Sequence, residues 1–171
     1  MTTEIFRNIL RFIALLLLQV LIVQNINLGS YIILFPYALI ILILPFETGR
    51  VVLMLISFLV GVSLDMFYDS SGLHASACTL MGFSRYYVLK FISPRDGYDK
   101  GVQPTVEDMG LAWYFRYAGT LILLHHAAFF YLEIFRINQF FETLLRTILS
   151  SLGTFILIYL LQFLFNSGKK R

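Results

Sequence analysis

Internal disulfides and cysteine-based metal clusters are excluded at the outset, because the chain holds one cysteine, Cys78. Charge is scarce as well. Charged side chains make up 13% of the sequence, against about 25% in an ordinary soluble domain, too few to coat a soluble surface. The signatures of common active sites are also missing: no phosphate-binding glycine loop, no His-Glu-x-x-His, no nucleophile elbow and no Cys-x-x-Cys. The formal charge of +3 and pI near 9.1 do not indicate nucleic acid, because the basic residues form no patch and sit at the ends of apolar runs.

What the chain has in quantity is apolar length: 58% hydrophobic residues and a mean hydropathy of +0.79 over 171 residues. At about 20 residues per crossing, this predicts a single all-α integral membrane domain with short loops. Six spans are expected, at residues 5–23, 31–44, 50–67, 73–91, 113–133 and 141–165, with one long polar loop at 93–112. The first run has arginines before its leucines, as a secretory signal does, but no small-residue cleavage site follows, so a retained helix is expected. Thr105 with Glu107 and Asp108 resembles a capped helix start, and a helix beginning there would bring Trp113, Tyr114 and Tyr117 to the membrane interface. Six spans place Arg7, Arg11, Arg50, Lys90, Arg95, Lys100 and the tail Lys169-Lys170-Arg171 on one side, so both termini are expected to be cytoplasmic. Arg136 and Arg146 stand against that pattern.

The most informative stretch runs from Ser57 to Arg85. Ser57, Gly61 and Asp65 share a stripe of the third run, and Gly72, Ala75, Thr79 and Gly82 give the fourth a small face. Small residues at helical spacing allow close backbone approach in lipid, so these faces are expected to pack on each other or on a partner's helix. Asp65 is costly inside a span and unfavourable at a helix C-terminus. A hydrogen bond across the turn, to Ser71, His74 or a backbone N–H of the fourth helix, is the expected compensation. Arg85 is expected to snorkel beside Lys90. His125 and His126 point about 100° apart on a helix and are expected to bond to neighbouring helices rather than hold a metal; the hydroxyl face Thr143, Thr147, Ser150, Thr154 is likewise read as packing. No catalytic residue, cofactor or metal is assigned.

Leu59-Val-Gly61-Val-Ser-Leu-Asp65-Met-Phe67, followed by Gly72-Leu73-His74-Ala-Ser-Ala77 and Gly82-Phe83-Ser84-Arg85, resembles the rod shape-determining protein MreD family, and the long polar loop resembles its Bacteroidetes-type members. The resemblance implies a six-helix inner-membrane protein similar in fold to the substrate-binding subunits of energy-coupling-factor transporters. It implies a non-enzymatic scaffold of the elongasome, supporting peptidoglycan synthesis and rod cell shape. Its implied partners are MreC first, then penicillin-binding protein 2, RodA and MreB, with membrane lipids and no nucleic acid. The fold likeness carries an alternative, a vitamin-binding subunit of a transporter, which needs an outward pocket with convergent polar groups.

Overall fold

The computed structural model describes residues 2–26, 29, 31–99, 101–135 and 139–166, with residues 2–9 and 164–166 described by backbone only. The expectations for Lys100, Arg136 and the basic tail therefore lie outside the described residues, as do those for the Arg7 side chain. The described residues are helical and contain no strand: α1 (Thr2–Leu17), α2 (Ala38–Leu42), α3 (Arg50–Tyr68), α4 (Leu73–Phe91), α5 (Val106–Met109), α6 (Leu111–Ile134) and α7 (Phe140–Asn166). A wide π-helical turn, Leu18–Ile22, and a 3-10 turn, Val23–Asn25, carry α1 onward.

Among the described residues, three helices are long and apolar enough to cross a membrane: α3, α6, and α7 over Phe140–Phe163. This is a membrane-embedded helical protein. Exposed apolar side chains cover its outside, such as Leu55 and Leu59 on α3 and Leu152 and Phe163 on α7, as a lipid solvent permits. α4 matches α3 at 19 residues but is less apolar, because His74, Ser76, Thr79, Ser84 and Arg85 interrupt it. Two of its polar side chains turn fully inward. His74 and Arg85 are each only 1% exposed.

Residues 31–44 depart from the expected helix. Residues 32–35 are extended, a turn at Pro36 and Tyr37 follows, and α2 lasts five residues. Pro36 explains the break, since a proline's ring disfavours helical geometry at the preceding residue, here Phe35. The middle of the broken segment is deeply buried, with Phe35, Tyr37 and every residue of α2 at 6% exposure or less.

A second departure follows Thr105. Its hydroxyl accepts from the Asp108 N–H at 3.3 Å, the expected cap, but α5 ends after one turn. Gly110, at φ +79° and ψ 158°, redirects the chain, and α6 starts afresh at Leu111. Trp113, Tyr114 and Tyr117 face the core, at 7% exposure or less. Trp113 stacks on Tyr117 and meets Phe46 and Tyr98 edge-on. In that loop packing, burial pushes the Tyr98 phenol above its ordinary pKa.

Candidate functional site

The α3–α4 hairpin is closed by Asp65. Helix α4 begins at Gly72, which has no side chain to cap the free N–H groups. Asp65, from the last turn of α3, supplies the cap from across the turn. Its Oδ1 accepts from the His74 N–H at 3.0 Å and its Oδ2 from the Ala75 N–H at 2.9 Å, while the Ser70 hydroxyl donates to Oδ1 at 2.5 Å. The carboxylate is thus ill placed for its own helix but meets the positive end of the next. The reversal needs left-handed backbone at Asp69 (φ 50°) and Gly72 (φ 87°), the latter natural for glycine.

The small faces meet each other. A Cβ added at Gly61 would run into the Cα of Ala75 and lie 2.5 Å from the His74 carbonyl oxygen. One added at Gly82 would strike the Ser57 hydroxyl. Ser57 returns its own O–H to the Leu53 carbonyl (2.8 Å), and Thr79 does the same to Ala75 (2.7 Å). Ser57, Gly61, Ala75 and Gly82 therefore form an intramolecular contact, while Gly72 belongs to the turn.

Non-helical backbone inside a membrane protein must find hydrogen bonds from its neighbours, and several buried polar side chains supply them to segment 31–44. Along α7, the Ser150 hydroxyl donates to the Tyr31 carbonyl (3.1 Å) and accepts from the Ile33 N–H (3.0 Å). Thr154 Oγ1 accepts from the Phe35 N–H (3.1 Å). The registers match: two extended residues advance about 6.6 Å and four helical residues about 6 Å, so every second N–H meets a hydroxyl one turn on. Gly153 lies beneath, where a Cβ would be 2.9 Å from the Leu34 side chain. From the π-helical turn after α1, the Gln19 amide donates to the Tyr68 hydroxyl at 2.7 Å and more weakly to the Leu34 carbonyl at 3.4 Å.

Arg85 serves the other end. Rather than snorkelling, its guanidinium donates to the Leu44 carbonyl oxygen and, through Nε, to the Tyr117 hydroxyl at 2.5 Å. Tyr117 in turn donates to the Leu42 carbonyl at 2.9 Å. Carbonyls left open where α2 ends are so satisfied, with a positive charge at the negative end of the helix.

Between these ends lies a cluster of aromatic and imidazole rings around Phe35. The Tyr37 hydroxyl is 2.8 Å from His74 Nδ1 and 3.0 Å from His125 Nε2. One phenol has a single proton to give, so it donates to one imidazole and accepts from the other. His125 Nδ1 is buried with no partner. A bare acceptor nitrogen there costs less than an orphaned N–H, which assigns the His125 proton to Nε2 and makes Tyr37 the donor to His74. His126 pairs with the Ile122 carbonyl (2.8 Å) and Thr154 Oγ1 (3.1 Å); Glu133 pairs with Arg146 at 3.0 Å instead. Cys78 Sγ is 3.8 Å from His125 Nε2. Among the described residues no group of three or more His, Cys, Asp or Glu side chains is placed to hold a metal ion.

Compared with models of known families, with curated proteins and with solved structures, the chain matches none. Its site is therefore read from its own geometry. Tyr37 and Gln19 escaped the sequence reading, and Tyr117 entered it only as an interface aromatic. A tyrosine or glutamine in an apolar run carries no spacing signal, and only Pro36 hinted that residues 31–44 would need side-chain partners.

Proposed function

We propose that this chain is a non-enzymatic scaffold of the bacterial wall-elongation machinery, of the MreD type. In this reading it is a multi-pass inner-membrane protein with six crossings, residues 31–44 forming a broken one, and both termini cytoplasmic. Its first partner is the membrane segment of MreC, with penicillin-binding protein 2, RodA and MreB as further neighbours.

The observation that carries the reading is the division between interior and rim. Buried polar side chains hold the fold's own broken segment, while α3, which packs chiefly on α4, turns an apolar face outward through Val51, Val52, Leu55, Phe58, Leu59 and Met66. A rim helix with an apolar outer face and a rigid inner one suits a partner helix docking by van der Waals contact. The small-residue stripe does not serve this purpose, because α4 already occupies it. Replacing Leu55 and Leu59 by alanine should reduce co-purification with MreC while leaving the amount of inserted protein unchanged. Full co-purification by that variant contradicts the assignment of the α3 face.

One observation favours the transporter reading: a cavity of about 180 Å³ lined by Gln19, Val23, Ile33, Leu34 and Tyr68 among others. Pockets for drug-sized ligands run to about 300–1,000 Å³, so this one is small for a vitamin. Native mass spectrometry of the purified chain discriminates the two readings, since a stoichiometric bound vitamin would support the transporter.

A further inference from the structure

Two grooves open on the outside of the bundle, on either side of the N-terminal half of α6. One, about 810 Å³, lies between α4 and α6 and is lined by Tyr87, Lys90, Phe91, Arg116 and Thr120 among others. The other, about 390 Å³, lies between α6 and α7 along Gly119, Leu123, Ser151 and Leu152. Arg116 and Thr120 line both. Among the described residues, two basic side chains and no acidic one border this pair of grooves. The Arg116 Nε–H bonds to the Ala112 carbonyl (3.3 Å), and neither Arg116 nor Lys90 makes an ion pair among the described residues.

Ser151 adds an independent indication. It is 7% exposed, lines the second groove, and its hydroxyl has no partner. On the same helix Thr143 and Thr147 bond the carbonyl four residues back. The Phe115 and Phe155 rings, 5.4 Å apart, bring the first turns of α6 level with Phe155. Ser151, four residues earlier on α7, therefore lies about 6 Å deeper. Gly119 forms an open floor, where an added Cβ meets nothing within 4 Å.

We propose that these grooves bind one anionic glycerophospholipid. Arg116 and Lys90 hold its phosphate, one acyl chain lies in each groove astride α6, and Ser151 donates its hydroxyl to an ester carbonyl. Basic pockets between membrane helices are recognised anionic-lipid sites, and the doubled groove with a shared cation matches two chains joined at one headgroup. This site is independent of the α3 face and of the wall-elongation reading.

The test is native mass spectrometry of the full chain released from nanodiscs of mixed phosphatidylglycerol and phosphatidylcholine. The wild type should retain one phosphatidylglycerol in preference to phosphatidylcholine. The double variant K90Q/R116Q should bind it about thirtyfold more weakly, at the strength expected of two basic residues near a lipid surface. Gly119→Leu, which fills the groove and keeps the charge, should lose retention of both lipids. Leu152→Trp, altering an exposed wall residue, is a second groove-filling variant should the first insert poorly. Equal retention of the two lipids by the wild type, unchanged preference in K90Q/R116Q, or displacement of the lipid by inorganic phosphate would each overturn the proposal.

Discussion

The Asp65 carboxylate lies 2.9 Å from the backbone nitrogen of Ala75, so the last turn of one helix caps the first turn of the next. Replacing Asp65 by alanine removes the acceptor for two N–H groups of α4 and for the Ser70 hydroxyl. At about 0.5–2 kcal/mol for a lost cap and more for a charged acceptor, a destabilisation of about 2–3 kcal/mol is expected. Asparagine, which keeps one oxygen, should fall between. Thermal unfolding in detergent measures both, and equal stability of wild type and alanine variant would contradict the cap.

Gly61 and Gly119 form a matched pair for the hairpin contact. Alanine at Gly61 would meet the backbone of Ala75, whereas alanine at Gly119 meets open space. Gly61→Ala should cost about 1–3 kcal/mol or more, as overpacking does, and Gly119→Ala should be neutral or slightly stabilising, as glycine-to-alanine changes in helices are. The same unfolding assay checks the difference.

Tyr37→Phe removes one oxygen, leaving His74 Nδ1 without its partner and His125 Nε2 with only the Cys78 sulfur at 3.8 Å. Each buried group left unsatisfied costs about 1–3 kcal/mol, so this near-isosteric change should be among the most damaging in the chain. Phe129→Leu, at a ring packed on His74 without a hydrogen bond, should be milder. A Tyr37→Phe variant as stable as wild type would contradict the bridging role of the Tyr37 hydroxyl.

Tyr117→Phe strands both the Arg85 Nε–H and the Leu42 carbonyl. Hydrogen exchange should then rise over residues 42–46 while the α3–α4 turn stays protected, since the two regions share no hydrogen bond. Uniform exchange changes would count against a local anchoring role.

Much of the helical plan was legible in the sequence, because long apolar runs bounded by Pro45, Gly72 and Ser93-Pro94 delimit α3 and α4 within a residue or two. The Asp65 bond to an α4 N–H was legible too, since a carboxylate at the wrong helix end calls for a positive neighbour. The broken segment was not. An apolar run of fourteen residues (31–44) reads as helix by periodicity, and the cue against it, Pro36, also suits a helix start. Arg85 misled for a related reason: a cation twelve residues into a helix favours snorkelling unless stranded carbonyls lie within reach, and those carbonyls exist only because α2 ends early. The hydroxyls of α7 were visible as a face, but their partner was the extended backbone that the sequence concealed.

The central claim is that α3's outer face seats a partner while its inner face is closed against α4. Photo-crosslinking in native membranes tests it directly, with the crosslinking residue placed at Leu59, which is 60% exposed, or at Leu64, which is fully buried. The account predicts an MreC adduct from position 59 and none from position 64. Adducts to lipid alone from position 59, or equal MreC adducts from both positions, would contradict it.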